Sequence, residues 1–234
     1  MKKVAMFQSN YIPWKGYFDI INDVDVFVFY DDVQYTVRDW RNRNIIKSAN
    51  GCSWLTVPVV NKNLREKKVY EVEIDNTTAW AQKHFKTIVM SYSKTAFLKD
   101  YINLLELIYL DNKWTNLSTM NRFIIEQVCK LLNIKTDFVN LQDMGISGNK
   151  NGERILKVCR ELNCDYVVNG PAAKEFIDQS LFDESGVVLE YKTYEYPTYR
   201  QLSFPFEHGV SIFDLLFNTG PEAPYYIWGW RNEK

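Results

Sequence analysis

Two short and almost wholly apolar segments stand near the start of the chain, at residues 4–7 and 26–29. Between them, residues 16–24 carry apolar side chains at helical spacing, in the sequence GYFDIINDV. A strand, a helix and a second strand in this order predict two parallel strands joined by a right-handed crossover. The segments that follow the strands, 8–14 and 31–43, would then lie at one edge of the sheet, where open α/β sheets bind ligands.

The rest of the chain alternates between strand and helix patterns. We expect further strands at 53–59, 69–75, 136–141, 165–169 and 187–191, and helices at 151–162 and from Ser211 onward. Leu and Ile at helical spacing indicate a central block of helices over about 77–132. Together the patterns predict one α/β domain over 1–234, with a mainly parallel sheet, flanking helices and the helical block inside it. A three-layer arrangement of the nucleotidyltransferase type is one form of such a fold.

Composition narrows the classes of function. The chain has 234 residues and 46% hydrophobic content, but no run approaches the roughly 20 apolar residues of a membrane span. The start, MKKV, does not resemble a secretion signal, so we expect a cytoplasmic protein without a membrane span. A net charge of -1 makes nucleic acid an unlikely partner.

Several common catalytic and metal motifs are missing from the sequence. There is no Gly-x-Gly-x-x-Gly, no Walker-type Gly-Lys-Ser/Thr, no Gly-x-Ser-x-Gly and no His-Glu-x-x-His. The four cysteines lack zinc spacing and suit buried packing positions. We therefore predict no metal site from these patterns. The missing motifs also disfavour a standard dinucleotide-binding protein, a P-loop NTPase, a serine hydrolase and a zincin protease.

The densest polar run follows the second strand. Its candidate ligand-binding residues are Asp31, Asp32, Gln34, Trp40, Arg41, Asn42, Arg43 and Lys47. Paired carboxylates after a strand can bind a divalent cation, hold ribose hydroxyls or share a proton, and arginines bind phosphates or carboxylates. A surface turn in which the charges neutralise each other explains the same run equally well.

Other candidates lie outside this run. His84, one helical turn after Trp80, could be a general base, although a histidine packed in the core is nearly as plausible. Asn169 and Gly170 stand at a predicted strand end, and Tyr199 and Gln201 lie in a tyrosine-rich stretch that suits either a sugar pocket or an edge strand. Lys150, just before a predicted helix, could join a phosphate site, and a solvated lysine is the commoner alternative.

A set of ordered motifs runs through nearly the whole chain. It comprises QSNYIPWKGYF at 8–18, DDVQY at 31–35, WRNRNIIK at 40–47, WLTVPV at 54–59, Trp80 with His84, GPAAKEF at 170–176, Tyr199 with Gln201, and SIFDLLFN at 211–218 with Gly220. This set resembles the WbqC-like family. Where many members have His-Gln-Pro after the first strand, this chain has Phe7-Gln8-Ser9, so a role of that histidine cannot be carried over.

The resemblance implies a role in surface-polysaccharide or O-antigen synthesis. We expect a transferase that forms an amide, with an aminoacyl, glycyl or related acyl group, on an amino sugar or sugar nucleotide. An acyl or aminoacyl carrier protein is a possible donor. The alternatives are an ATP-dependent ligase in which Asp31 and Asp32 hold magnesium, and a non-catalytic sugar-nucleotide-binding or scaffold subunit.

The transferase hypothesis assigns roles to the candidates. An amine must lose a proton and the acyl oxygen must be stabilised, so one base and several fixed donors are needed. His84 or Asp32 would be the base. The neutral donors would be Gln8, Asn42 and Gln201, the phosphate ligands Arg41, Arg43 and Lys47, and the flat walls Tyr11, Trp14 and Trp40. The cofactor is unknown, with ATP and magnesium expected only under the ligase alternative.

Overall fold

The computed structural model describes residues 1–147 and 151–233. Lys150 lies outside these residues. The strands are, in chain order, β1 (Lys3–Phe7), β2 (Val26–Phe29), β3 (Arg43–Ser48), β4 (Gly51–Thr56), β5 (Asp137–Asn140), β6 (Tyr166–Asn169) and β7 (Val188–Tyr191). The helices are α1 (Lys15–Asn22), α2 (Trp80–Ser91), α3 (Ile102–Glu106), α4 (Leu117–Leu131), α5 (Asn151–Leu162), α6 (Gln179–Ser185) and α7 (Ile212–Thr219).

Five of the strands form one parallel sheet in the order β5-β2-β1-β6-β7. From β1 the chain first winds outward through β2 and β5, and then returns to the other side of β1 for β6 and β7. The direction of winding therefore changes between β1 and β6. The α/β fold with a parallel sheet and flanking helices, predicted from the first strand–helix–strand unit, is confirmed.

The two faces of the sheet are covered by different helices. Successive side chains of a strand point to opposite faces. Accordingly Ala5 of β1 packs in a core cluster with side chains of α1, α4 and α7, whereas Val4 and Met6 pack with side chains of α5 and α6. The sheet is thus the middle of three layers, and its buried strands read as continuous apolar runs because both faces are covered.

Strands β3 and β4 form an antiparallel hairpin outside the main sheet. Residues 51–56 overlap the predicted strand 53–59, but β3 had no strand prediction. The reason is that Asn44 and Lys47 on β3 are polar and yet almost fully buried, at 2% exposure each. Buried polar side chains conceal the alternation that identifies a strand.

The predicted strand at 69–75 is wrong. Val69–Glu71 forms a short 3-10 turn, and Glu73 and Ile74 make only single bridges, to Asn116 and Val59. The apolar positions alternate there because Val72 and Ile74 enter the core from an irregular segment, not because a ladder forms. Tertiary packing produced a strand-like pattern without a strand.

Asp31 connects three of these segments. Its side chain is fully buried and accepts hydrogen bonds from the backbone N–H of Ser9 (2.7 Å) and the hydroxyl of Ser118. Ser9 follows β1, Asp31 follows β2, and Ser118 lies in the first turn of α4. One buried carboxylate therefore holds two strand ends and a helix together.

No helix within residues 1–147 and 151–233 combines the length and apolar character that crossing a lipid bilayer requires.

We predict that Asp31→Ala lowers the free energy of unfolding by about 3 kcal/mol, because it leaves two buried donors without their acceptor. Urea denaturation followed by circular dichroism measures the change. Asp137→Ala, at the exposed start of β5, is the matched control and should stay within about 0.5 kcal/mol. A loss below about 1 kcal/mol for Asp31→Ala would contradict the connecting role.

Candidate functional site

The carboxyl ends of β1 and β6 lie side by side where the winding of the sheet changes direction. Gln8 follows β1, while Asn169 ends β6 and its Oδ1 accepts from the N–H of Gly170 (2.9 Å). A Cβ on Gly170 would lie 2.8 Å from the hydroxyl of Tyr194, so backbone and ring approach closely here. Open α/β sheets bind ligands at this position.

Residues 8–14 cross this edge in a fixed, strained conformation. The side-chain amide of Asn44 donates to the carbonyl oxygens of Tyr11 (3.0 Å) and Ile12 (2.9 Å). The N–H of Tyr11 donates to the carbonyl oxygen of Trp40 (3.0 Å). Ile12 has φ of 37°, a left-handed conformation that is unfavourable for a β-branched residue. The surrounding bonds hold this strain at the edge of the sheet, as is common near binding sites.

A cavity of about 300 Å³ opens beside this segment, and we call it the tryptophan cavity. It is lined by Asn10, Pro13, Trp14, Trp40, Asn44 and Gly209. Its walls are mainly apolar, and none of these side chains titrates near neutral pH. The amide nitrogen of Asn10 makes no hydrogen bond within the part of the chain that the structure describes, so it is available to a ligand. Flat indole rings with a few amide groups suit the faces and hydroxyls of a sugar.

Trp14 forms one wall of the tryptophan cavity, and its position depends on Gly16. The indole folds back over the first turn of α1, where a Cβ on residue 16 would lie 2.3 Å from a ring carbon. On its other side the ring meets Tyr194 edge-on, with centroids 4.8 Å apart. The Trp-x-Gly spacing thus permits the indole to pack against its own helix.

The opposite wall continues onto the surface of the hairpin. Trp40 and Trp54 are 41% and 47% exposed, with ring centroids 5.4 Å apart. The guanidinium of Arg43 lies over the Trp54 ring at 4.3 Å. Trp54 had no predicted role in binding. These three side chains form a stack that extends the cavity wall toward solvent.

Arg41 and Asn42 lie close to the tryptophan cavity without lining it. Arg41 donates to Asn10 Oδ1 (3.3 Å) and pairs with Asp39 at 3.3 Å, while its Nε is buried without a partner among the described residues. Asn42 is buried and donates to the carbonyl oxygen of Val57 (2.9 Å). Arg41 therefore positions Asn10, and Asn42 supports the hairpin.

A second cavity, of about 470 Å³, lies at the carboxyl ends of β2 and β5, and we call it the polar cavity. The polar side chains that line it include Asp32, Tyr70, Asn116, Thr119, Arg122 and Gln142. Asp32 pairs with Lys68 and with Arg154 (2.7 Å). Partial burial raises the pKa of Asp32, but hydrogen bonds and charges from Lys68 and Arg154 outweigh it and lower the pKa overall. Asp32 is therefore ionised at neutral pH.

The two adjacent carboxylates do not converge on one point. Asp31 turns inward to Ser9 and Ser118, whereas Asp32 turns to Lys68 and Arg154. Within the residues the structure describes, no group of three or more His, Cys, Asp or Glu side chains could hold a metal ion. The magnesium pair of the ligase alternative has no support from this geometry.

His84 lies in an enclosed cluster. Its Nδ1 is 2.9 Å from the hydroxyl of Tyr11, and that hydroxyl is 2.6 Å from the hydroxyl of Tyr109. Tyr11 is fully buried and His84 is 6% exposed. Burial lowers the pKa of His84 to about 4, so it is neutral at physiological pH. In this position His84 can hold Tyr11 and its loop in place. A catalytic role of His84 stays a prediction.

Lys47, Tyr199 and Gln201 meet in another internal cluster around Asp214. The ammonium of Lys47 donates to Gln201 Oε1 (2.9 Å) and to the carbonyl oxygen of Pro205. Gln201 and Tyr199 both donate to Asp214 Oδ1, at 2.9 and 2.7 Å. These bonds fasten the irregular segment 192–210 to the hairpin and to α7, and none of these side chains lines either cavity.

The structure therefore brings together only some of the residues proposed from the sequence. Trp14 and Trp40 share one cavity, Asp32 lines the other, and Gln34 is exposed with its amide bonded to the carbonyl oxygen of Arg65. The residues that sequence reasoning did not select include Asn10, Asn44, Trp54, Tyr70, Arg122, Gln142, Ser147 and Gly209. Asn10 and Asn44 stand within the quoted motifs, but no local pattern connects Arg122 with β2 or Gly209 with β1.

We predict that the stability of the protein falls as pH drops from about 6.5 to 4. In this range the unfolded chain protonates His84 and the native protein does not, so the unfolded state binds more protons and stability rises with pH. The contribution of His84 is at most about 3 kcal/mol. Urea denaturation at several pH values measures it. His84→Gln should be less stable at pH 7 and show a flatter pH dependence, and two parallel curves would contradict the assignment.

Comparison with known proteins agrees with the motifs. The model of the WbqC-like protein family matches residues 8–226. The uncharacterized protein Rv1507c of Mycobacterium tuberculosis is 44% identical over 228 residues, which cover 97% of this chain and 98% of that protein. No solved structure matches the chain significantly. The chain belongs to the WbqC-like protein family.

Proposed function

We propose that the protein is a transferase that forms an amide on an amino sugar bound in the tryptophan cavity. The observation that carries this proposal is the cavity itself, whose lining includes Trp14, Trp40 and the free amide nitrogen of Asn10. Apolar faces of a sugar ring stack on indoles, and its hydroxyls bond to amides. The position beside the change of winding direction supports a ligand there.

The proposal assigns proton transfer to Asp32. Amide formation requires a deprotonated amine and donors for the oxygen of the acyl group. Of the two predicted bases, Asp32 is ionised and lines the polar cavity, which is the neighbour of the tryptophan cavity along the sheet edge, whereas His84 is enclosed with Tyr11. Asp32 follows β2, the neighbour of β1, at the same edge of the sheet. Gln8 and Asn10, which follow β1, supply amide donors.

A sugar nucleotide fits this arrangement better than a free sugar. The Trp40–Trp54 pair offers a partly exposed stacking surface for a base, and Arg43 brings a cation beside it. The anionic diphosphate would then meet Arg41 and Arg43 at the rim, as expected from the sequence. The resemblance to the WbqC-like family supports surface-polysaccharide synthesis as the pathway, with an acyl or aminoacyl carrier protein as the donor in the cytoplasm.

A non-catalytic sugar-nucleotide-binding subunit is the second candidate. One observation favours it: none of the six side chains that line the tryptophan cavity titrates near neutral pH. Turnover discriminates between the two. A transferase incubated with an amino-sugar nucleotide and a glycyl thioester forms the C–N bond of an amide, breaks the C–S bond and releases the thiol. Mass spectrometry detects the amide, and Asp32→Asn abolishes its formation. A subunit binds the sugar nucleotide without product, with or without Asp32.

We predict that Trp40→Ala weakens binding of UDP-glucosamine at least about fivefold, because loss of one stacking surface costs about 1–3 kcal/mol. Isothermal titration calorimetry measures the dissociation constant. Leu131→Ala removes an exposed apolar side chain at the end of α4, on the opposite edge of the sheet, and should bind as the wild type does. Equal affinity of Trp40→Ala and the wild type would contradict the proposed site.

A further inference from the structure

We propose that the polar cavity is a second ligand site, which binds the phosphate or carboxylate group of a small organic anion through Arg122. This cavity lies over β2 and β5, whereas the tryptophan cavity lies over β1. The inference needs no sugar in the tryptophan cavity and holds whether or not the protein is a transferase.

Arg122 enters the polar cavity from the second turn of α4. Its guanidinium donates to Oδ1 of Asn140 and lies over the ring of Phe29, with Cζ 5.9 Å from the centroid. It forms no ion pair with any acidic side chain in the described ranges. An arginine has five N–H donors, so most of them remain for a ligand.

The partner of Arg122 is itself held in place. The amide nitrogen of Asn140 donates to Asp143 Oδ2 (2.9 Å), and this bond orients Oδ1 of Asn140 toward Arg122. A neutral amide thus fixes the guanidinium without cancelling its charge. Planar guanidinium groups held in this way bind phosphates and carboxylates through paired hydrogen bonds.

The single carboxylate that lines the polar cavity is already neutralised. Asp32 is paired with both Lys68 and Arg154, while Arg122 lines the same cavity and is not paired with Asp32. Asp143 bonds to the amide of Asn140, and Glu71 bonds to the backbone N–H of Lys68. The positive charge of Arg122 therefore lacks a counterion among residues 1–147 and 151–233, and a bound anion supplies one.

Neutral groups complete the site. The hydroxyls of Tyr70 and Ser147 and the amide of Gln142 line the same cavity, and their side chains have no hydrogen-bond partner among residues 1–147 and 151–233. Leu141 and Ile146 add apolar surface. A cavity of about 470 Å³ exceeds what one inorganic ion needs and falls within the range of small-molecule sites. The cavity therefore has room for the organic part of a phosphate or carboxylate ligand as well as for its anionic group.

The test is isothermal titration calorimetry of the whole chain with two sets of probes. Inorganic phosphate and pyrophosphate represent phosphate ligands, and glycine and succinate represent carboxylates. We expect the wild type to bind one set at millimolar or lower concentration and Arg122→Gln to lose at least tenfold in affinity. Arg122→Lys, which keeps the charge but not the paired donors, should lie between them.

Two controls make the result specific. Lys135→Gln removes one exposed cation near the start of β5, at the opposite edge of the sheet, and should leave anion affinity unchanged. Binding of UDP-glucosamine to Trp40→Ala is measured separately, so failure of the sugar proposal does not affect this test. Circular dichroism verifies that each variant is folded. Wild-type affinity in Arg122→Gln, or no binding of either set by the wild type, would overturn the inference.

Discussion

The buried carboxylate of Asp31 is the interaction on which both cavities depend. A polar group enclosed in protein is stable only when hydrogen bonds replace those to water, and Asp31 receives them from Ser9 and Ser118. Ser9 begins the segment that forms the tryptophan cavity, and α4, which carries Ser118, also carries Arg122 of the polar cavity. The position of each cavity on the sheet edge is thus set by the same carboxylate.

Asparagine amides perform a similar task for the irregular backbone around Asp31. Asn121 on α4 donates to the carbonyl oxygens of Ser9 (3.2 Å) and Arg41 (2.8 Å), and Asn44 donates to two carbonyls of the 8–14 segment. Buried backbone oxygens outside helices and sheets require such partners. The polar residues of the WRNRNIIK motif therefore act mainly in support: most of them hold the binding walls instead of forming them.

The sequence predicted the parts of the structure that follow from local periodicity. The β1–α1–β2 unit, the parallel sheet and the ligand edge all follow from apolar runs and helical spacing in a short stretch. Contacts between distant residues could not be predicted in this way. Lys47 meets Gln201, Arg122 meets Asn140, and Gly209 reaches the cavity beside β1 only after the chain has folded. Polar residues in these contacts look like surface residues until the fold buries them.

The close approach of Trp14 to Gly16 constrains how sequences of this kind can vary. A side chain of any size at position 16 would occupy the space of the indole ring, because even a Cβ would lie 2.3 Å from it. A substitution of the glycine alone displaces the indole that forms the cavity wall. A substitution of the tryptophan alone leaves in α1 a glycine that destabilises the helix and no longer makes room for a ring. The two positions are therefore coupled. A sequence that keeps the indole must keep the glycine, and a sequence that has lost one of them is more stable when the other is replaced as well.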